Sequence, residues 1–277
     1  MTQFVSKNQR HLKPSVFWSI RQGFPKWLDL TLTVTALVIP LLLWCLLSYG
    51  GFVDSRFLPA PTTVLQAGIQ MLTEGELLTD ILASSGRVLA GFFLAAVIGI
   101  PIGIASGTFY SMESLFGSFI GVVRYMPVAA FMPLIVLWVG LGEPAKILIV
   151  FLGVIFYNAI MIADTVKFIP SEMLNTAYTL GANRKDLLWR VILPASLPGI
   201  FDTLRVNIAG AWNFLVISEL IAAQNGLGFK IVYYQRFLQT DRVLFCILII
   251  GLIGLTLDYF FKLLARLTLP WAESTSN

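Results

Sequence analysis

Five side chains inside long apolar runs are the candidates to contact a ligand: Arg124, Asn158, Trp212, Asn213 and Glu219. A charge within an apolar segment is costly without a partner, so Arg124 is a candidate to bind an anion or, alternatively, a structural arginine near the membrane interface. Glu219 lies seven residues after Trp212, which places both on one helix face. A carboxylate there would repel an anion, and Glu219 is therefore predicted to act as an ion-pair or gating partner.

The asparagines Asn158, Asn207 and Asn213 can hydrogen-bond a ligand or a neighbouring helix. Interhelical pairing is the simpler of these two uses. Asp164 and Glu219 are the carboxylates in the apolar runs that a proton relay would need.

Catalytic motifs are missing from the sequence. It contains neither G-x-x-x-x-G-K-[ST] nor H-E-x-x-H, and its one histidine, His11, lies in the basic N-terminal tail. A set of nucleophile, base and orienting residue cannot be assembled from such a sequence. We therefore predict no catalytic residue and no metal site, and a nucleotide would have to bind to another protein.

The composition is that of an integral membrane protein. Of the 277 residues, 57% are hydrophobic and 12% are charged, whereas soluble domains are about 25% charged. The net charge of +4 does not indicate nucleic-acid binding, because the basic residues lie in loops beside apolar runs. Cys45 and Cys246 lie inside apolar runs and are predicted to be small buried hydrophobic residues.

Apolar runs of spanning length predict an all-α, polytopic membrane protein with about six transmembrane helices. The predicted spans are 30–49, 84–107, 118–139, 145–166, 197–221 and 243–264. Arg124, Pro127 and Pro133 share the third span and imply broken helical geometry there. Small residues recur every four positions in the second span and predict close approach of another helix or a sliding helix: Gly91, Ala95, Gly99, Gly103 and Gly107. Pro101 in the same span suggests a kink.

The segments between the spans are predicted to lie at the two membrane faces. Residues 1–29 form a basic tail with an interfacial piece, and 50–83 include a surface helix capped by Thr62 or Thr63. Residues 109–116 and 222–242 are predicted loops.

A polar segment, 169–194, separates the fourth and fifth spans. It predicts a first helix over 171–180 that Ser171 caps, and a stop at Gly181 in the left-handed conformation. A second helix over 184–191 is predicted to be closed by Pro194.

The distribution of positive charge predicts the orientation. Eleven lysines and arginines lie in the N-terminal tail, in or beside the 169–194 segment and at the C-terminal end, against four in the other connecting segments. Cytoplasmic segments carry the excess of positive charge. Both termini and the 169–194 segment are therefore predicted to be cytoplasmic.

The 169–194 segment resembles the conserved cytoplasmic loop of binding-protein-dependent ABC importers: Glu-Ala-Ala, three residues, Gly, nine residues, Ile-x-Leu-Pro. Here Asn175-Thr176-Ala177 precedes Gly181 by the same spacing, and Leu193-Pro194 closes the pattern. Asn175 replaces the usual glutamate and Thr176 the first alanine, which puts the charge contact with an ATPase in doubt. The resemblance implies these coupling residues: Ser171, Asn175, Thr176, Ala177, Gly181, Ala182, Leu193 and Pro194.

Four further motifs, beginning at Arg56, Arg87, Trp138 and Glu219, are similar to the permeases of nitrate/sulfonate/taurine-type importers. The resemblance implies a type I ABC importer permease fold over 30–277, a coupling loop at 167–196 and an inner-membrane location. It also implies a homodimer, two cytoplasmic ATPase subunits that bind ATP and Mg²⁺, and an extracytoplasmic solute-binding protein. The substrates it implies are mostly small anions such as sulfonates, taurine, nitrate or bicarbonate, with aromatic or pyrimidine-like compounds in some members, and the sequence does not separate them.

Two other classes of protein are alternatives. An ion-coupled secondary transporter would need intramembrane relays and usually an internal repeat, and this chain offers little beyond Glu219 and Asp164. A membrane-embedded enzyme would need the nucleophile or metal set that the sequence lacks.

Overall fold

The computed structural model describes residues 25–271, which fall into two compact units divided between Pro61 and Thr62. In the first unit, helix α1 (Lys26–Tyr49) is followed by a segment that folds back on it. Trp44 Nε1 donates to the carbonyl of Pro59, and Ser48 Oγ donates to that of Leu58, both at 3.0 Å. The predicted tail falls mostly on residues 1–24, which lie outside the described residues.

The second unit is helical, and the described residues contain no strand. Its helices are α2 (Pro61–Thr73), α3 (Glu76–Thr108), α4 (Tyr110–Val123), α5 (Val128–Val139), α6 (Glu143–Lys167), α7 (Ser171–Thr179), α8 (Arg184–Ile221), α9 (Leu227–Arg236) and α10 (Thr240–Thr268). Helix α3 packs along α6, α6 packs against α8, and α8 packs against α10.

The prediction of about six spans in an all-α protein is confirmed. Five of the described helices are long and apolar enough to cross a membrane, namely α1, α3, α6, α8 and α10. Helices α4 and α5, bent by 85° where they meet, pass the same test together, which makes six spans when the bent pair is counted as one broken span. The bend falls at Pro127, whose extended backbone interrupts the helix, so the broken geometry predicted for the third span is present.

Three predicted connecting segments are wrong in part. Residues 110–116 are helical and belong to α4, and the segment 222–242 contains α9. Helix α3 begins at Glu76, inside the predicted outer segment, because Gly75 has a φ of +81° and an acidic residue favours a helix N-terminus. Helix α2 begins at Pro61, before Thr62 and Thr63, since proline is well tolerated in a first helical turn.

The small residues of the second span face α6. A Cβ atom at Gly91 would lie 2.7 Å from Val150 Cβ, and one at Gly103 would lie 2.7 Å from Ile162 Cβ. Contacts this short show that the two backbones approach closely, as small residues allow in membrane proteins. Helix α3 continues through Pro101 to Thr108. Of the two interpretations of the small residues, close approach of another helix is the one that these contacts match.

Two details predicted for the 169–194 segment are wrong. Pro170, not Ser171, is the N-cap of α7, and it makes no side-chain capping bond. Pro194 does not close a helix, because α8 runs on through it. Residues Leu187–Ile192 form a π-helical turn, and Pro194 falls in the first turn of the α-helical stretch that follows, where its missing N–H is tolerated.

Candidate functional site

Helix α7 ends in a Schellman motif at the predicted glycine. Gly181 has a φ of +85°, its N–H donates to the carbonyl of Tyr178 at 2.9 Å, and the N–H of Ala182 donates to that of Ala177 at 3.0 Å. These two bonds are the pair that defines the motif. The left-handed glycine predicted from the sequence is therefore present, and Ala177, Gly181 and Ala182 together fix the end of the helix.

The 169–194 segment is fastened to the ends of the spanning helices by a small apolar cluster. Val166, Leu187 and Ile192 are buried there. Ile104 from α3 and Ala177 from α7 pack against them. Helix α7 is thus in side-chain contact with α3, α6 and α8.

The remaining surface of α7 is exposed. Asn175 and Thr176 are exposed, and Thr176 Oγ1 donates to the carbonyl of Glu172 at 2.7 Å within the helix. Met173 and Tyr178 are about half exposed, at 46% and 51%. One face of α7 is therefore exposed and carries both polar and apolar side chains. The opposite face packs against the apolar cluster at the ends of the spanning helices.

The five sequence-predicted ligand contacts do not form one site. Arg124 lies at the bend between α4 and α5, where Nη2 donates to Tyr125 Oη at 2.9 Å. Asn213 is exposed on α8. Asn158 is buried on α6, and its Oδ1 accepts a hydrogen bond from Asn207 Nδ2 at 2.7 Å, which is the interhelical use of an amide.

Trp212 and Glu219 are both buried inside the helix bundle. Trp212 belongs to the main apolar core between α3, α6, α8 and α10, and its side chain is 4% exposed. Glu219 is 1% exposed and forms an ion pair, which is one of the two roles predicted for it. Arg124 lines one cavity with Asp164 and another with Phe131, and neither Trp212 nor Glu219 lines either of these two.

The ion pair of Glu219 joins α8 to α3 at the end of the bundle opposite the 169–194 segment. Arg87 Nη1 donates to Glu219 Oε1 at 2.6 Å, and the two side chains are 3% and 0% exposed. Glu219 also accepts hydrogen bonds from Ser84 Oγ at 2.8 Å and from the N–H of Gly228 at 2.8 Å. The buried carboxylate is thus satisfied by three donors, as a buried charge must be.

The same guanidinium also binds the start of α6 and the loop after α8. Arg87 Nε and Nη2 donate to the two oxygens of Glu143 at 2.6 and 2.7 Å, which is a bidentate pair. Nη1 and Nη2 further donate to the backbone and side-chain oxygens of Asn225. We call Ser84, Arg87, Glu143, Glu219 and Asn225 the Arg87 network.

The loop after α8 is seated on the Arg87 network by backbone contacts. Asp80 Oδ1 accepts from the N–H of Gly226 at 2.6 Å, and Ser84 Oγ accepts from that of Leu227 at 2.9 Å. A Cβ atom at Gly226, whose φ is +112°, would lie 2.4 Å from Glu219 Oε1. Only glycine fits at this position.

Helix α9 is tied to the start of α3 by charge. Lys230 Nζ donates to Glu76 Oε2 and lies 3.7 Å from Asp80 Oδ2. Burial opposes the ammonium charge, but the hydrogen bond to Glu76 and the attraction of Asp80 outweigh it, so the pKa of Lys230 lies above its ordinary value.

Sequence reasoning missed the Arg87 network, although it found Glu219. Arg87 and Glu143 are each one charged residue near a span end, and their partners lie far along the chain. The available signal was that a charge in an apolar run needs an opposite charge, and Arg87 and Glu219 are two such charges.

The sequence and the fold of this chain are both similar to membrane subunits of known transport systems. Residues 99–269 match the family described as the binding-protein-dependent transport system inner membrane component. The chain is 35% identical to the taurine transport system permease protein TauC of Escherichia coli, over 91% of this chain and 94% of that protein. It is 31% identical to the putative aliphatic sulfonates transport permease protein SsuC of Bacillus subtilis, over 92% and 90%. An inward-facing structure of the MetNI methionine ABC transporter shares the fold, with a TM-score of 0.61 at 17% identity, over 69% of this chain and 95% of that one.

Proposed function

The chain belongs to the family of binding-protein-dependent transport system inner membrane components and is an ABC importer permease, and we propose that it passes a small sulfonate into the cytoplasm by alternating access. The sequence left sulfonate, taurine, nitrate, bicarbonate and an aromatic or pyrimidine-like solute open. Two relatives that cover most of the chain carry the names of taurine and aliphatic sulfonate permeases, which supports the sulfonate class.

Its proposed partners follow from the family. Two copies of the chain form the transmembrane pore, two ATPase subunits bind ATP and Mg²⁺ in the cytoplasm, and a solute-binding protein delivers the substrate at the other face. The excess of basic residues around the 169–194 segment supports a cytoplasmic position for that segment and for both termini. The Arg87 network then lies toward the outer face.

The observation that carries the proposal is the construction of the 169–194 segment. Its exposed α7 face would dock on the ATPase, while its buried face contacts three spanning helices. Asn175 stands where the family has glutamate, and Glu172 lies one turn earlier on the same helix face. We propose that Glu172 supplies the carboxylate to the ATPase.

Replacing Gly181 with valine tests the coupling. A Cβ atom at Gly181 meets no atom within 4 Å, so the substitution acts through backbone conformation alone. A left-handed conformation costs an ordinary L-residue about 1–2 kcal/mol, and about 1.4 kcal/mol corresponds to a factor of ten. We expect ATP-driven uptake into proteoliposomes to fall by about tenfold or more, with the complex still assembled.

Two variants control this experiment. Gly75 has a φ of +81° and equally open surroundings, but it lies at the other end of the bundle, so Gly75→Val introduces the same strain away from the 169–194 segment. Gly181→Asn should retain most uptake, because asparagine tolerates the left-handed region. Uptake by an assembled Gly181→Val complex that equals the wild-type rate would exclude transmission through this turn.

A further inference from the structure

All five N–H groups of Arg87 are used, and their acceptors lie on three different elements. Nε and Nη2 donate to Glu143 at the start of α6, and Nη1 donates to Glu219 near the end of α8. Nη1 and Nη2 each make one more bond, to Asn225 in the loop after α8. Since an arginine has five N–H groups, none is left for another acceptor. A shift of α6 or of the loop relative to α3 therefore breaks a bond to Arg87.

The partners of Arg87 differ in their access to water. Arg87 and Glu219 are 3% and 0% exposed at their side chains. The side chain of Glu143 is 57% exposed, and Asn225 is exposed as well. A buried ion pair is costly to break because each charge is left without a partner, whereas water replaces the partner of an exposed group. Arg87 thus has one buried partner and two partners that water can replace.

Glu143 and Asn225 both line a cavity of about 460 Å³. Some of its lining residues lie within 141–146, in or just before the first turn of α6. The others lie within 221–225, at the end of α8 and in the loop that follows. The cavity is therefore a cleft between these two elements, and Arg87 joins its walls by bonding to one residue from each. A cleft of this size has room for several water molecules, which can take over the bonds of Glu143 and Asn225 when they leave Arg87.

The loop after α8 is fixed mainly at its far end. The N–H groups of residues 226–228 donate to buried side chains of α3 and α8. Among residues 25–271, the preceding residues 223–225 hydrogen-bond to other elements only through the two bonds between Asn225 and Arg87. Release of Asn225 therefore frees this part of the loop and leaves the start of α9 in place.

We infer that Arg87 is a releasable clasp on this cleft. While Glu143 and Asn225 are bonded to it, the outer end of the bundle is closed, and their release accompanies opening to the outside. The inference rests on the proposed function, in which this end faces outward and opens when the ATPase subunits bind ATP. In that cycle, a complex that opens outward more readily reaches the ATP-hydrolysing state more often. The strength of the clasp then sets the basal ATPase rate, which is the rate without the solute-binding protein.

Asn225→Ala tests the clasp without leaving a buried charge unpaired, because Asn225 is exposed and uncharged. Loss of a hydrogen bond to a charged group shifts an equilibrium by about tenfold or more. We expect the basal ATPase rate of the full complex in lipid nanodiscs to rise by about tenfold. The melting temperature of the complex should change little, since the substitution lies at an exposed site.

Asn225→Asp should have the opposite effect. It keeps an oxygen at the position of Oδ1 and places a negative charge against the guanidinium of Arg87, where a charge-assisted bond is stronger. We expect the basal ATPase rate to fall by about threefold or more. Opposite changes at one exposed position do not arise from a damaged fold, which lowers activity for both substitutions.

The loop also gives a direct measure of release. Gln224 is exposed and lies beside Asn225, so a nitroxide label on a Gln224→Cys chain reports the motion of the loop by electron paramagnetic resonance. The background is Cys45→Ala, and Cys246 is buried and does not react in the folded chain. We expect the ratio of mobile to immobile label to rise about tenfold with Asn225→Ala. It should also rise without that substitution when ADP and vanadate trap the ATPase subunits.

Two variants are matched controls. Glu74→Gln breaks another pair at this end, in which Arg242 donates two bonds to Glu74 at 2.9 and 3.1 Å and the Glu74 side chain is 49% exposed. Ser218→Ala removes a buried hydroxyl that bonds only to the carbonyl of Leu215 in its own helix. Neither residue bonds to Arg87, and neither substitution should change the basal ATPase rate or the mobility of the label.

A basal ATPase rate that Asn225→Ala leaves at the wild-type value would overturn the inference, as would a rise that Glu74→Gln reproduces. Label mobility that vanadate trapping leaves unchanged would overturn it too. ATP-driven uptake of ethanesulfonate and 2-aminoethanesulfonate is measured in parallel with the wild-type complex and its solute-binding protein. Normal uptake without the effects at Asn225 refutes the clasp alone, whereas those effects without uptake of either sulfonate refute the proposed function.

Discussion

Removing Arg87 should destabilise the chain far more than removing an exposed lysine, because it leaves the carboxylate of Glu219 buried without its cation. Glu219 would keep the hydrogen bonds from Ser84 and Gly228. Breaking a buried ion pair by deleting one partner costs about 3–5 kcal/mol. Arg87 also pairs with Glu143, whose side chain is 57% exposed and keeps its ion pair with Lys146. Losing the Arg87–Glu143 pair therefore adds little to the cost of removing Arg87.

The matched comparison is Lys262→Gln, which removes an ion pair of similar geometry. Lys262 Nζ lies 2.7 Å from Asp258 Oδ2, but the two side chains are 46% and 33% exposed. Exposed pairs contribute about 0–1 kcal/mol. We therefore expect Arg87→Met to lower the melting temperature by on the order of 10 °C, and Lys262→Gln by about 3 °C or less.

The chain carries its own reporter for this measurement. Cys246 is buried within the main core, whereas Cys45 is partly exposed. In a Cys45→Ala background, a thiol-reactive fluorophore labels Cys246 only as the helices separate, and the labelling temperature gives the stability of the second unit.

A second variant adds Glu219→Gln to Arg87→Met. It should restore more than half of the melting temperature that Arg87→Met loses, because neighbours in one network couple. If Arg87→Met melts within a few degrees of Lys262→Gln, the buried charge of Glu219 is compensated by other means and the reasoning is refuted.

Two further predictions use matched residues elsewhere in the chain. Gly103→Ala should cost about 1–3 kcal/mol in the same labelling assay, because its Cβ would clash with Ile162, whereas Gly86→Ala in the same helix meets no atom within 4 Å and should cost nothing measurable. A cost at Gly86 equal to that at Gly103 would contradict the packing argument. Asn175→Glu should strengthen binding of the ATPase subunits, measured by co-purification at rising salt, and Glu172→Gln should weaken it; a chain in which Glu172→Gln leaves binding unchanged does not use that carboxylate.

The features that local sequence dictates were predicted correctly. The apolar runs gave the spans, Pro127 gave the break in the third span, and Gly181 gave the left-handed end of α7. Each of these depends on one residue type and its immediate neighbours. Pro194 was misread as a stop because a π-helical turn just before it, which the sequence does not announce, lets the helix continue.

The features that depend on tertiary contact were not predicted. Arg87 is joined to Glu143 and Glu219, which are 56 and 132 residues away along the chain. Their pairing requires the packing of α3 against both α6 and α8. The Asn158–Asn207 bond was foreseen as a type of contact but not as that pair, since several asparagines were available.

Helix α8 is continuous over 38 residues, from the 169–194 segment to within two residues after Glu219. At 1.5 Å per residue it measures about 57 Å, nearly twice the hydrocarbon thickness of a bilayer. A helix of this length reaches beyond both faces of the hydrocarbon layer that it crosses. A tilt of about 5° at one end displaces the other by about 5 Å, which exceeds the length of any hydrogen bond in the Arg87 network. A tilt of α8 relative to α3 by this amount would separate Glu219 from Arg87.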